Sequence, residues 1–246
     1  MFTTTDYDKL QQIMEESPQK KELLTRLLEA HRMQISTISH EIRNPLSLVY
    51  SSLQLIESGH PEVHQFRHWD EMRQDIEYMT QLLEELSSYN NGERLNLTDT
   101  GMSSFLRTLA LSFATSLIDT RIEFISKIGP DLPVLSIDTV KFRQLLLNLL
   151  ANAKDALLAS DHTVMTLTLS AEVKDHSLVI TVEDTGCGIS PEDMDSIFEP
   201  FVTHKQGGTG LGLAIARRVI RAHHGTIHAA SESGKGSVFT ITLPVH

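Results

Sequence analysis

From about Glu29 to Ser58 the apolar residues recur at helical spacing. At about 100° per residue, Ile38, Ile42, Leu46, Val49, Leu53 and Ile56 fall in one stripe. Pro45 interrupts this run, and its ring crowds the carbonyl of Glu41, which predicts a kink. Gly59-His60-Pro61 is a stop-and-restart signal. A second helix is predicted over 62–89, with Val63, Phe66, Trp69, Met72, Ile76, Met79, Leu82 or Leu83, Leu86 and Tyr89 spaced by threes and fours. Two long helices on a short connector pack as an antiparallel hairpin. One hairpin buries little core, so pairing with a second copy into a dimeric four-helix bundle is the expected solution. Residues 1–29 are expected to form a weakly patterned N-terminal helical segment, which Pro18 interrupts or starts.

After Asn90-Asn91-Gly92 the periodicity changes. Alternation and β-branched content predict strands at 122–128, 134–137, 163–173, 177–183, 225–231 and 237–243. Helices are predicted at about 101–118, 139–159 and 210–223. Lys174-Asp175-His176 is read as a hairpin turn. The fold class is therefore α+β: a helical hairpin over 30–92, then an α/β sandwich with a mixed sheet over 97–246.

Composition narrows the possibilities. The formal net charge is −11, from 21 Lys+Arg against 32 Asp+Glu, which speaks against nucleic acid as a partner. One cysteine, Cys187, allows no intrachain disulfide and fits a reducing compartment. No apolar run approaches the ~20 residues that span a bilayer. No basic start followed by an apolar stretch marks a leader peptide. The expectation is a cytoplasmic protein, or the soluble part of a longer one, with no direct membrane span.

Three features carry candidate chemistry. His40 lies about 160° from the centre of the apolar stripe, so it points to solvent or to another domain. Asn44 lies one turn on along the same face, and Glu41 is adjacent. An exposed imidazole is a competent nucleophile when a base takes its proton. It is also, in most proteins, simply a solvated side chain, and the chain has 12 His.

The second feature is a line of Gln144, Asn148, Asn152 and Asp155 along a helix otherwise rich in Leu and Ala. Asn is a poor interior helix residue, so such a line suggests a polar ligand or a buried network, if it is not an ordinary wet face. Amide oxygens suit Mg²⁺.

The third feature is a pair of glycine loops. Asp184-Thr185-Gly186-Cys187-Gly188-Ile189 follows a strand, and Asp184 can accept from an exocyclic amine such as that of adenine. Gly207-Gly208-Thr209-Gly210-Leu211-Gly212-Leu213 opens a helix and makes an anion cradle. It is neither a Walker loop nor a dinucleotide-binding fingerprint, and a lone glycine loop can be only a tight turn. Between the loops, Ile197-Phe198-Glu199-Pro200-Phe201 leads to Lys205, read as a mobile lid with aromatic anchors and a phosphate-facing cation.

Taken in order, these motifs resemble a bacterial two-component sensor histidine kinase over about residues 30–245. Ser39-His40-Glu41-Ile42-Arg43-Asn44-Pro45-Leu46 resembles the phospho-acceptor box, and Asn148 through Asn152-Ala153 the asparagine box. Asp184-Thr-Gly186-Cys-Gly188 resembles the first glycine box, Phe198-Glu-Pro-Phe201 the phenylalanine box, and Gly208-Thr209-Gly210-Leu211-Gly212 the second glycine box. Gly234-Lys-Gly236-Ser-Val-Phe-Thr resembles the closing strand pair.

The resemblance implies ATP and Mg²⁺ as cofactors, His40 as phospho-acceptor and Glu41 as general base. It implies Asn152 as metal ligand with Asn148 in support, Asp184 as reader of adenine, and Lys205 with the Gly208–Gly212 amides on the phosphates. It implies a homodimer, a response-regulator receiver domain as partner, and Asn44 orienting the water that dephosphorylates the regulator. A separate sensor protein can supply the input. Asp155 departs from the family, which often has a basic residue there. Asp155 then bears on the metal site or its waters, and Lys154 lies off the stripe. The rival readings are a hydrolytic ATPase of the same superfamily, a phosphorelay or phosphatase adaptor, and an anti-sigma-type serine kinase. The first needs a glutamate where Asn148 stands, and the third lacks the hairpin and its histidine box.

Overall fold

The computed structural model describes residues 13, 17–92, 94–203, 205 and 208–245. Most of the expected N-terminal segment and Gly207 lie outside the described residues. The chain divides into two compact units, Met1–Asn91 and Gly92–His246.

The first unit is a helical hairpin. Helix α1 spans Pro18–Gly59, and its start at Pro18 follows from a residue with no amide to leave unpaired at the first helical position. It continues through Pro45 as one helix, leaving the Glu41 carbonyl without its intrahelical donor. The connector is a 3₁₀ turn at Pro61–Gln65, and helix α2 runs from Trp69 to Asn91. The second helix thus begins later than the spacing of Val63 and Phe66 predicts. The reason is local: His68 adopts φ 68°, a left-handed conformation that no helix continues through.

Polar contacts dress the hairpin seam. Arg43 Nη2 donates to the Leu83 carbonyl at 3.3 Å, Tyr50 Oη to Glu77 at 3.2 Å, and Trp69 Nε1 to Glu57 at 2.9 Å. Within this seam only one edge of the apolar stripe is covered. Leu53 is buried and Leu46 half-buried, while Ile38, Ile42, Val49 and Ile56 stay 54, 45, 47 and 41% exposed.

The second unit is a two-layer α/β sandwich. Its strands are β1 (Thr98–Gly101), β2 (Ile122–Ile128), β3 (Val134–Ile137), β4 (Met165–Lys174), β5 (Ser177–Asp184), β6 (Thr226–Glu232) and β7 (Gly236–Pro244). Its helices are α3 (Met102–Ala114), α4 (Thr139–Leu158) and α5 (Gly212–Ala222). The five-stranded sheet has order β2-β4-β5-β7-β6, with β2 and β4 parallel and the other pairs antiparallel. This is the mixed sheet expected from the alternation.

β1 and β3 form a separate antiparallel ribbon. Thr98-Asp-Thr-Gly101 is short and polar, so no alternation announced it as a strand.

The core lies between one sheet face and α4. Leu167, Leu169 and Ala171 of β4 register with Val182 and its neighbours on β5, and those with Phe239, Ile241 and Leu243 of β7. All of these side chains are buried, as are Leu145, Leu146, Leu149, Leu150 and Leu157 of α4. Strand periodicity of two explains what happens next. The inward row Leu178, Ile180, Val182 continues to Asp184, and Leu243, Ile241, Phe239 continues to Ser237. Two polar residues thereby end an apolar row, both buried. At the sheet's other end of the helices, buried His223 accepts the Asp138 amide at Nε2 (3.0 Å) and donates from Nδ1 to the Val219 carbonyl (2.7 Å).

Candidate nucleotide and phospho-acceptor sites

The polar line on α4 is on the helix side turned away from the sheet. Asn148 and Asn152 are half-buried and Asp155 is exposed. Lys205, from the loop between the two glycine motifs, reaches this line. Its ammonium donates to Asn152 Oδ1 at 3.0 Å and to Asp155 Oδ2 at 2.8 Å. Asn148 Nδ2 donates to the Gly212 carbonyl at 3.4 Å, which ties the helix to the start of α5.

Two predicted site residues, Asn152 and Asp155, are thus brought around the ammonium of a third, Lys205. A lysine ammonium held by amide and carboxylate oxygens marks a place suited to a hard cation. Among the described residues no group of three His, Cys, Asp or Glu could hold a metal. A cation here would therefore share its shell with water and a ligand's oxygens, as Mg²⁺ does on phosphates.

The second glycine loop is shaped by contact. Gly210 has φ 68°, and a Cβ there would lie 2.7 Å from the Phe201 carbonyl carbon. The Phe201 amide donates to the Gly210 carbonyl at 3.0 Å, so the phenylalanine motif and the glycine motif are stitched together. Arg217 of α5 supports the same segment from beneath, 3.9 Å from Glu199 and 5.8 Å over the Phe198 ring. Thr209 and Leu211 are buried, and Gly208 and Gly212 flank them at the helix start, whose first turn leaves amides without intrahelical partners.

Asp184 ends β5. Burial pushes its carboxyl above the usual carboxylate range, against the amides of Gly186 and Ser237, which donate to it and pull the other way. The Gly186 amide is 2.8 Å from Oδ1. Gly186 is required by packing: a Cβ would lie 2.6 Å from the Ala156 backbone of α4. The Cys187 amide also donates to the Ala156 carbonyl at 3.1 Å. The loop carrying Asp184 is thereby locked on the helix carrying Asn152. Thr185 adds a further anchor, accepting the Thr166 amide at 3.0 Å and donating to the Val164 carbonyl at 3.2 Å, while His162 Nδ1 donates to the Thr185 carbonyl at 2.6 Å. Thr185 belongs to the first glycine motif, whereas His162 lies outside every motif, because its hydrogen-bond partner is 23 positions away.

The phospho-acceptor candidates belong to the other unit. His40, Glu41 and Asn44 are all exposed on α1, as the helical wheel requires. Ser39 beside them is buried and returns its hydroxyl to the Ile35 carbonyl at 2.8 Å.

Residues 30–94 match the His Kinase A (phospho-acceptor) domain, and residues 137–246 match the histidine kinase-, DNA gyrase B-, and HSP90-like ATPase family. The chain belongs to the two-component sensor histidine kinases.

Among its relatives is the signal transduction histidine-protein kinase AtoS of Escherichia coli K12, 29% identical over 92% of this chain and 38% of AtoS. The sensor histidine kinase ZraS of the same organism is 31% identical over 98% of this chain and 50% of ZraS. The chain thus spans half or less of the length of these two kinases. The crystal structure of full-length ShkA in complex with AMPPNP superposes with a TM-score of 0.70 at 27% identity, covering 86% of this chain and 45% of ShkA. No helix among the described residues is long and apolar enough to cross a membrane.

Proposed function

We propose that this chain is an ATP-dependent protein histidine kinase, with a phosphotransfer hairpin at 30–92 and a nucleotide-binding unit at 97–246. The observation that carries this reading is the convergence of Lys205 on Asn152 and Asp155 beside the 208–212 glycine loop. It supplies cationic and oxygen groups for a polyphosphate in a chain that also exposes His40 on a long helix. Asp184 accepts from the adenine amine. Lys205 and the amides of Gly208, Thr209, Gly210, Leu211 and Gly212 hold the phosphates. Magnesium, when bound with the nucleotide, neutralises charge on the phosphate oxygens. Asn152 Oδ1 would hold it, with Asn148 and Asp155 bearing on its waters.

In the transfer, a His40 ring nitrogen attacks the terminal phosphorus of ATP and the bond to the ADP oxygen breaks. Glu41 takes the proton from the ring, so the phosphohistidine forms neutral in the imidazole. Positioning and charge neutralisation supply most of the rate, since phosphoryl transfer needs little covalent help. The phosphoryl group then passes to an Asp of a response-regulator receiver domain. Asn44 orients a water that later removes it from the regulator. Asn148 is a poor base whose amide donates to Gly212, which favours transfer over hydrolysis.

The exposed part of the stripe, Ile38, Ile42, Val49 and Ile56, supports a homodimer in which a second copy covers it. ATP as substrate and the single cysteine fit a cytoplasmic location, and a separate sensor protein can supply the input.

Incubation with γ-labelled ATP and Mg²⁺ tests the reading. Acid-labile, alkali-stable label is expected, and label that persists in His40→Gln overturns it.

A further inference from the structure

Ser231 stands on β6, more than 40 residues after the first glycine loop in sequence and outside every motif of the nucleotide site. Its hydroxyl accepts the Ile189 amide at 2.8 Å and donates to the Gly236 carbonyl at 2.8 Å. Ser237 Oγ lies 3.0 Å away. The single Ser231 proton is on Gly236, so Ser237 donates in that third contact, and the hydroxyl uses its full capacity of one donor and two acceptor sites.

These partners matter through what they adjoin. Ile189 closes the loop that begins at Asp184, while Gly236 and Ser237 open β7. Ser237 is the cross-strand partner of Asp184, and its amide donates to the Asp184 carboxylate. Gly236 (φ 113°) lies so close that a Cβ would fall 1.9 Å from the Asp184 carbonyl oxygen. On the other side of the loop, a Cβ on Gly188 would fall 2.1 Å from the Glu232 carbonyl oxygen, and the Gly234 amide donates to the Cys187 carbonyl at 2.7 Å. The turn from Glu232 to Gly236 therefore presses on the whole 184–189 loop, and Ser231 bonds to both.

We propose that Ser231 is a positioning residue for base recognition: its hydroxyl ties the 184–189 loop to the β6–β7 hairpin and so sets the Asp184 carboxylate in place for the exocyclic amine of adenine. The proposal rests on the reading of Asp184 as the group that meets the base. A hydrogen bond to an amine keeps its strength only over a few tenths of an ångström. Loss of the Ser231 clasp therefore acts on base selectivity before it acts on phosphate binding.

Calorimetric titration of the full chain with ADP and with inosine diphosphate, which carries a carbonyl in place of the amine, tests this. In Ser231→Ala the preference for ADP over inosine diphosphate falls about tenfold, the scale of one lost hydrogen bond. Inosine diphosphate affinity stays within about twofold, and Ser231→Thr, which keeps the hydroxyl, retains the preference. Unchanged selectivity in Ser231→Ala, with selectivity lost in Asp184→Asn, overturns the role of Ser231 and leaves that of Asp184 standing. Unchanged selectivity in Asp184→Asn overturns both. If Ser231→Ala does not fold, Ser231→Cys replaces the hydroxyl by a weakly bonding thiol of similar size. Reduced selectivity there supports the proposal, and full selectivity overturns it.

Discussion

The two units of this chain solve the problem of a hydrophobic core in opposite ways. The α/β unit buries three sheet rows against α4 and closes its core within one chain. Among the described residues the hairpin buries Leu53, Val63 and Ile76, and leaves four of the six stripe residues of α1 exposed. A two-helix hairpin has one contact face per helix, so its second apolar edge needs another molecule. The complete unit holds preorganised polar groups, with Asp184, Asn148 and Lys205 each fixed by backbone or side-chain partners. The incomplete unit presents exposed groups, with His40, Glu41 and Asn44 all facing outward.

The largest expected effect separates the units. His40→Gln abolishes labelling to background, yet ADP affinity, a property of the α/β unit, stays within about twofold. A parallel loss of ADP affinity, measured by calorimetry, would break the division. Next, Asn152→Ala is expected to lower labelling by about 100-fold or more, the usual scale for losing a group that stabilises transferring charge. The same variant still accepts phosphate at His40 from a phosphorylated receiver, since the hairpin is untouched. Full labelling would remove Asn152 from the proposed metal site.

The hairpin can be broken alone. Val49→Glu with Ile56→Glu puts unpaired charges on the edge assigned to the proposed homodimer, at an expected cost of several kcal/mol per dimer. Light scattering should then report half the mass, and scanning calorimetry should find the α/β transition unmoved. A dimer that survives both charges would place the contact elsewhere.

The smallest effect is one of pH. Burial holds His223 below its ordinary value, against its bond to the Val219 carbonyl and the nearby Asp138 charge. A group with a lowered folded value contributes stability above its unfolded value, about 6.5 for histidine. That stability is lost as pH falls from there through the folded value, because the unfolded chain binds the proton first. The α/β transition should therefore move to lower temperature on acidification below about 6.5, and less so in His223→Gln. An equal acid shift in both proteins would assign the effect to other groups.

Much of this was readable in advance. The stripe on α1 placed His40 outward, and it is exposed. Strands at 122–128, 134–137 and 177–183 lie where alternation put them, within a residue. Long, strongly periodic segments are read well because burial on one face imposes the period. The break at 66–68 was hidden, because a left-handed His68 has no periodic signature. Strand β1 was hidden because its four residues are polar. Ser231 and His162 were hidden for a different reason: each is defined by a partner 23 or more residues away.

The order of the motifs is written in the chain, and the outward face of His40 and the polar line on an apolar helix follow from spacing within one element. The packing of distant elements set the meeting of Lys205 with Asn152 and Asp155, the place of Asp184 at the end of a buried row beside Ser237, and the exposure of four of the six α1 stripe residues. Those facts depend on which elements become neighbours. A local period fixes the direction of a side chain, but not the atom that waits there.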